Sequence, residues 1–135
     1  FKIGKGLKLK DGNDVTIVAT GHLVWEAIKA SEKLAENGIN AEIINIHTIK
    51  PLDEDIILKS VSKTGCLVSA EEHNIYGGLG ESISRLLVTK LPSPQEFVGT
   101  KDTFGESGPP SELMNKYGLN SSSIYNSAVD VLKRK

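Results

Sequence analysis

The stretch that decides the fold is DVTIVATGHLVWEAIKASEKLAENGINAEIINI, which runs from Asp14 to Ile46. It begins with a β-branched apolar run at 15–20, typical of a strand that is buried on both faces. Apolar residues then recur at the spacing of an amphipathic helix, and Asn37-Gly38 is a typical end for such a helix. A second apolar run follows at 41–46. Strand, helix and strand in this order predict two parallel strands joined by a right-handed crossover.

The rest of the chain continues the alternation of short apolar runs and helical stripes. The further predicted elements are a helix opened by Asp53-Glu54-Asp55, a strand CLVSA at 66–70, a helix with an apolar stripe from Leu79 to Leu91, a strand QEFVGT at 95–100, a short helix around 112–117 and a last helix capped by Asn120 or Ser121. This order predicts an α/β fold, a three-layer α/β/α sandwich around a mainly parallel sheet. Residues 1–13 are predicted to be a lead-in, in which KGLKLKDG either adds an edge strand or does not, and residues 14–135 one domain.

Composition narrows the function classes. The 135 residues carry a formal net charge of −1 with acids and bases interspersed, which argues against nucleic acid or an anionic membrane as a partner. No apolar stretch approaches the roughly 20 residues of a membrane span, and no signal peptide is recognised. The single cysteine, Cys66, lies in an apolar run and is expected to be a buried thiol. The basic LKRK at 132–135 is predicted to be a frayed, solvated tail. We expect a cytoplasmic protein.

The stretch SAEEHNIYGGLGESI, at 69–83, is the main candidate for chemistry, because it places acids, a histidine and glycines at the end of a predicted strand. The residues in question are Glu71, Glu72, His73, Gly77, Gly78 and Gly80. His73 could serve as an acid or base with a neighbouring glutamate fixing its tautomer, and the glycine amides could bind an anion at a helix amino end. Alternatively, the glycines let the chain turn and bring a helix close to the sheet. The dinucleotide and phosphate-loop fingerprints are both incomplete, so we favour a scaffold or interface.

The other candidates are weaker. His22 follows the first core strand and is predicted to start a helix, and His47 follows the second strand. The spacing of the three histidines matches no ligand motif, so no metal site is predicted. Ser107 lacks the Gly-x-Ser-x-Gly context of a nucleophile elbow. Trp25 falls beside the apolar stripe of its helix, so it is expected at the edge of the core or in a subunit contact.

Three segments together resemble the C-terminal domain of the transketolase family. They are the stretch at 14–53, AEEHNIYGGLGESI at 70–83 and FGESGPPSELMNKYGL at 104–119. The resemblance runs from about Asp14 to the end of the chain, with the motifs in the same order.

The resemblance implies a thiamine diphosphate enzyme built from a diphosphate-binding domain, a pyrimidine-binding domain and this third domain, whose sheet has one antiparallel edge strand. Thiamine diphosphate and Mg are then expected in the complete enzyme and not in this domain. The expected activity is transfer of a two-carbon ketol unit between sugar phosphates, in the pentose phosphate pathway. This domain is expected to be inactive alone, to contribute no catalytic residue and to support a homodimer, with Glu71, Glu72 and His73 as candidates for a channel rim or interface and Gly77, Gly78 and Gly80 for an anion-binding turn.

Other functions stay open at this point. Related C-terminal domains occur in pyruvate-dehydrogenase-type beta subunits, where the domain would dock an acyltransferase core, and in deoxyxylulose phosphate synthases. Those relatives usually lack the histidine and the FGESG loop, both of which are present here. An autonomous anion-binding domain that uses the glycine turn is a further alternative.

Overall fold

The computed structural model describes residues 5–47, 51–74, 78–100 and 119–135. Those residues form five strands and four helices. In chain order the elements are β1 (Leu7–Lys10), β2 (Val15–Ala19), α1 (Leu23–Glu36), β3 (Ala41–Asn45), α2 (Glu54–Thr64), β4 (Leu67–Asn74), α3 (Leu79–Lys90), β5 (Gln95–Thr100) and α4 (Ser121–Lys133). The predicted short helix at 112–117 and the FGESG loop lie outside the described residues.

The strands form one sheet in the order β1-β3-β2-β4-β5. The pairs β2–β3, β2–β4 and β4–β5 are parallel, and β1 pairs with β3 in the antiparallel direction. This arrangement confirms the predicted mainly parallel sheet and the antiparallel edge strand. Because β1 is part of this sheet, residues 7–10 belong to the same folded unit as the rest of the domain.

The helix ends follow the predicted chemistry. Asp53 precedes α2, and its carboxylate accepts a hydrogen bond from the Ile56 amide at 3.3 Å. Gly65 ends the same helix with φ +81°, a conformation that favours glycine. Asn120 caps α4 by accepting a hydrogen bond from the Ser123 amide at 2.9 Å. The caps therefore account for boundaries that lie within one or two residues of the predicted ones.

Two apolar layers enclose the sheet. Alternate residues of β2, such as Ile17, face α1 and α4, whereas Val18 faces α2 and α3. Both layers are closed by fully buried aliphatic side chains, as the predicted three-layer sandwich requires. Within the described parts of the chain, none of the helices has both the length and the apolar character needed to cross a membrane.

The structure corrects two predictions, on the length of β4 and on the basic tail, and it confirms the prediction for Cys66. The third predicted strand was expected to stop at Ala70, but β4 continues through Asn74, which pairs with Thr100 of β5. The basic tail is not frayed: Arg134 donates to the Gln95 carbonyl at 2.9 Å, and Lys135 donates to the Asp14 carbonyl at 3.0 Å. Cys66 is buried as expected, and burial raises the pKa of its thiol.

Candidate functional site at the carboxyl end of the sheet

Strands β2, β3 and β4 are parallel, so the residues that follow or end them meet at one edge of the sheet, which we call the carboxyl rim (residues 20–22, 46–47 and 71–74). The chain passes from β2 to β3 on one side and later reaches β4 on the other side. The strand order therefore reverses beside β2. In open α/β sheets, ligands bind in the crevice at such a reversal, which makes the segment containing Glu71 and Glu72 the first place to look for chemistry.

Glu71 is almost completely buried, with 1% of its surface exposed. Its two carboxylate oxygens accept hydrogen bonds from the first amides of α3, those of Leu79 at 2.8 Å and of Gly80 at 2.7 Å. These amides have no partner inside the helix, and they carry the positive end of the helix dipole. The carboxylate of Glu71 therefore acts as the anion at the amino end of α3.

Gly80 holds α3 close to the sheet. A Cβ atom at this position would lie 2.6 Å from Phe97 Cδ2 and 2.8 Å from Ser69 Oγ, both closer than carbon contacts allow. The carbonyl of Gly80 also accepts a hydrogen bond from the Gln95 side chain at 3.0 Å. Only glycine fits here without displacing the Phe97 and Ser69 side chains, and this close approach brings the α3 amides within reach of Glu71.

Glu72 points to the opposite layer, because successive side chains of a strand alternate between the two faces. Its carboxylate accepts a hydrogen bond from the His22 amide at 2.7 Å, at the start of α1. Gly21 has φ +56°, a conformation that favours glycine, and it lies directly beside the Glu72 carboxylate. Two consecutive acids of β4 thus bind the amino ends of two helices on opposite faces of the sheet.

The remaining predicted residues have mixed outcomes. Gly77 lies outside the described residues, and the side chain of His73 is not described, although His73 belongs to β4. Gly78 precedes α3 in an extended conformation, and the Gly80 amide already donates to Glu71. An external anion at this turn would have to displace that carboxylate. The anion-binding turn and the channel rim therefore stay predictions.

His22 and His47 are both exposed at the carboxyl rim, and His22 directly precedes α1 as expected. Among the described residues, no group of three or more histidine, cysteine or carboxylate side chains is arranged to hold a metal ion. Ser107 lies outside the described residues.

A second acidic centre was not found from the sequence. Glu42 of β3 is 3% exposed, and it binds Lys63 of α2 and the Gly12 amide, the latter at 3.3 Å. Burial alone would raise the pKa of this carboxyl group, but hydrogen bonds from Lys63, Ser60 and Gly12 outweigh burial and lower it. Glu42, Ser60 and Lys63 border a cavity of about 380 Å³ between β1 and α2. In the sequence, Glu42 lies within the apolar run AEIINI, and the one feature that could have indicated this centre is an acid inside a buried strand.

An apolar groove of about 550 Å³ lies beside the carboxyl rim on the α1 face. It is lined by Leu9, Gly21, Val24, Trp25, Ile28, Asn45 and His47. Trp25 is 66% exposed, so it does not lie in the core.

Comparisons with known proteins agree with the geometry. The family described as "Transketolase, C-terminal domain" matches residues 4–124. The 6-deoxy-6-sulfo-D-fructose transketolase subunit SqwH of Clostridium sp. (strain MSTE9) is 45% identical over 135 residues, which is 100% of this chain and 42% of that protein. The 1-deoxy-D-xylulose-5-phosphate synthase of Desulforudis audaxviator (strain MP104C) is 42% identical over 119 residues, 87% of this chain and 19% of that protein.

A solved structure of a split-gene transketolase, an inactive β4 tetramer, superimposes with a TM-score of 0.95. It is 38% identical, and the match covers 98% of this chain and 44% of the solved chain. The chain thus spans less than half of the length of these proteins. On the family match over most of its residues, this chain belongs to the transketolase C-terminal domain family.

Proposed function

We propose that this chain is the architectural C-terminal domain of a thiamine diphosphate-dependent enzyme that transfers a two-carbon ketol unit from a ketose phosphate to an aldose phosphate. The domain supports the assembly and supplies no catalytic residue. The observation that carries this proposal is the use of Glu71 and Glu72, whose carboxylates are bound to backbone amides of α3 and α1 at 2.7–2.8 Å. Acids held in this way stabilise the amino ends of the two helices, which is an architectural role.

The described residues do not fit the cofactor. A diphosphate needs positive groups such as helix amino ends, but the two amino ends at the strand reversal already hold Glu71 and Glu72. Magnesium needs several oxygen ligands, and the described residues contain no group of three carboxylate or histidine side chains suited to a metal. We therefore propose that thiamine diphosphate and Mg bind elsewhere in the complete enzyme.

The partners proposed for this domain are the diphosphate-binding and pyrimidine-binding domains of the enzyme, in the same chain or in a separate subunit. Similarity to a split-gene enzyme and to a transketolase subunit supports this arrangement, since each of those chains is more than twice as long as the matched part. A homodimer of the complete enzyme in the cytoplasm completes the proposal.

The test compares this chain with the complete enzyme, each supplied with thiamine diphosphate, Mg, a ketose donor and an aldose phosphate acceptor. Because one relative is named for a sulfonated ketose, the donors include both a ketose phosphate and 6-deoxy-6-sulfofructose. We expect transfer by the complete enzyme and none by this chain alone. Transfer by the isolated chain would overturn the architectural role.

A second candidate is favoured by the similarity to a 1-deoxy-D-xylulose-5-phosphate synthase. The same domain would then support formation of 1-deoxyxylulose 5-phosphate in place of ketol transfer. Assaying the complete enzyme for both products separates the two, because the 1-deoxy product lacks the hydroxyl group on its first carbon. Formation of that product without ketol transfer would favour the synthase.

A further inference from the structure

The cavity of about 380 Å³ between β1 and α2 collects three lysines. We call it the lysine cavity, and it is lined by Lys8, Glu42, Ile56, Lys59, Ser60 and Lys63. The four lining residues of α2 recur at helical spacing, so they lie on one face of that helix. Lys8 lies opposite Ile44 of β3 and shares a face of the sheet with Ile44 and Glu42, the face that α2 covers. The fold therefore brings lysines from a strand and from a helix to the walls of one cavity.

The charges of the lysine cavity do not cancel. Among the described residues that line it, Glu42 is the one acid, and hydrogen bonds lower its pKa, so its carboxyl group is ionised near neutral pH. That carboxylate already accepts hydrogen bonds from Lys63 and from the Gly12 amide. Lys8 pairs with Asp11 at 2.7 Å, at the border of the cavity. With both acids counted against the three lysines, one positive charge remains.

The remaining positive charge belongs to Lys59. Within the described ranges, Lys59 forms no hydrogen bond and no ion pair, whereas Lys8 and Lys63 each have a carboxylate partner. The partner of Lys8 is held weakly, because Asp11 is 81% exposed and ion pairs between exposed groups contribute little. An anion that enters the cavity can therefore bind Lys59 directly and take the place of Asp11 at Lys8.

We infer that the lysine cavity binds a phosphate group, with Lys59 and Lys8 as its main donors. A lysine ammonium group donates up to three hydrogen bonds and binds phosphate as a point charge. The volume lies within the range of small-molecule sites, so it can hold a free phosphate ion or the phosphate group of a small metabolite. Apart from Ile56 the lining residues are polar, which suits a hydroxylated carrier such as a sugar. The inference goes beyond the proposed function, because it concerns binding by this chain itself.

The lysine cavity suits an anion better than the carboxyl rim does. At the rim, the amino ends of α1 and α3 are already bound by Glu72 and Glu71, so an external anion would have to displace an acid of the sheet. At the lysine cavity, an anion displaces only the exposed carboxylate of Asp11.

Binding at the lysine cavity should be modest and sensitive to salt. Because the charges are partly exposed, we expect a dissociation constant on the order of 1 mM at low ionic strength. Affinity should fall as salt is added, since the screening length shortens from about 30 Å at 0.01 M to about 10 Å at 0.1 M.

The test is a titration of this chain at low salt, followed by the chemical shifts of its backbone amides in nuclear magnetic resonance spectra. The probes are inorganic phosphate, glucose 6-phosphate and uncharged glucose. We expect saturable shifts, concentrated in β1 and in the second half of α2, with both phosphates and none with glucose. Tighter binding of glucose 6-phosphate would identify a phosphorylated sugar as the ligand, and equal or tighter binding of inorganic phosphate would identify the free ion.

Two variants should change the affinity in opposite directions. Lys59→Gln should weaken phosphate binding about fivefold, and it should leave the fold intact because no partner within the described residues is lost. Glu42→Gln should tighten phosphate binding about threefold, because it removes the negative charge and frees the Lys63 ammonium group. Lys133→Gln is the matched control, since it removes the same charge as Lys59→Gln from an exposed position on α4, in the opposite layer, and should leave binding unchanged.

The absence of saturable shifts up to about 50 mM of either phosphate would overturn the inference, since that is about 50 times the expected dissociation constant. Equal shifts with glucose, or equal weakening by Lys59→Gln and Lys133→Gln, would also overturn it. Circular dichroism checks that the variants fold, and Lys59→Gln decides the outcome if Glu42→Gln does not. Ketol transfer is measured separately on the complete enzyme, so a failure of this site leaves the proposed function intact.

Discussion

Two buried glutamates on the same face of the sheet solve the same physical problem by different means. Glu71 of β4 is held by two backbone amides at the amino end of α3, whereas Glu42 of β3 is held by a lysine, a hydroxyl group and one amide. An ionised carboxylate in a protein interior is costly unless it is paired and hydrogen-bonded. For Glu71 the compensation comes from the position of a helix, and for Glu42 it comes mainly from side chains.

Because their partners differ, Glu71 and Glu42 should respond differently to substitution. Removing Glu71 leaves backbone amides that cannot move without moving α3. Removing Glu42 leaves a lysine whose side chain is already 39% exposed and can turn toward water. We therefore expect removal of Glu71 to lower the free energy of unfolding more than removal of Glu42.

The largest effect is expected for Glu71→Ala. Two amides at the start of α3 lose a charged acceptor in a buried place, so the free energy of unfolding should fall by about 3 kcal/mol. Urea denaturation followed by circular dichroism measures the change. Glu81→Ala is the control, because Glu81 is an exposed acid in the first turn of the same helix and its loss should cost about 0.5 kcal/mol or less. Equal losses for the two variants would show that Glu71 acts only through its charge.

Gly80→Ala is expected to have the next largest effect. The added methyl group would lie 2.6 Å from Phe97 Cδ2 and 2.8 Å from Ser69 Oγ. Overpacking of this kind costs about 1–3 kcal/mol, offset in part by the better helix propensity of alanine. Denaturation of Gly80→Ala with and without Phe97→Leu tests the contact, because the smaller side chain should recover part of the loss. A stabilising Gly80→Ala substitution would contradict the close approach of α3 to the sheet.

The pH dependence of stability distinguishes Glu42 from its surroundings. The pKa of Glu42 is lowered in the folded state by its hydrogen bonds, despite burial. A lowered pKa contributes stability above the unfolded value, about 4.3, and that contribution is lost as the pH falls through the folded value. Glu42→Gln should therefore cost about 1 kcal/mol at pH 7 and less at pH 3.

Thermal denaturation between pH 7 and pH 3 measures this difference. Glu54→Gln is the control, because Glu54 forms an exposed ion pair with Lys90 at 3.0 Å and should change the pH profile little. Parallel profiles of the wild type and Glu42→Gln would mean that Lys63 and Ser60 do not stabilise the ionised form.

The sequence predicts the fold better than the site, for a physical reason. Strands β2 to β5 and helices α1 to α3 each carry a local signal, either a β-branched run or an apolar stripe at helical spacing. Caps such as Asp53 and Asn120 act within three residues, so they are also visible locally. β1 is harder to predict, because the short LKLK segment is stabilised as a strand by its pairing with β3.

The contacts of the glutamates could not be predicted in this way. Glu72 reaches an amide 50 residues earlier in the chain, and Glu42 pairs with a lysine 21 residues later. Which acid faces which helix depends on strand register, and that register is set by pairing with strands that lie far away in the sequence. The sequence shows that Glu71 and Glu72 lie at the end of a strand, and only the three-dimensional arrangement shows that both are bound to helices.

The smallest effect is expected for His73→Ala in the complete enzyme, and it bears on the carboxyl rim as a whole. If the rim is a scaffold, kcat/KM for ketol transfer should change by about threefold or less, because no step depends on an imidazole there. A true general acid or base would lose about 100-fold or more while assembly, checked by sedimentation, stays intact. His22→Ala is the matched control, since His22 is exposed on the same rim and precedes α1. A large loss for His73 alone would place a catalytic group directly beside the two structural acids, and the rim would then combine both roles.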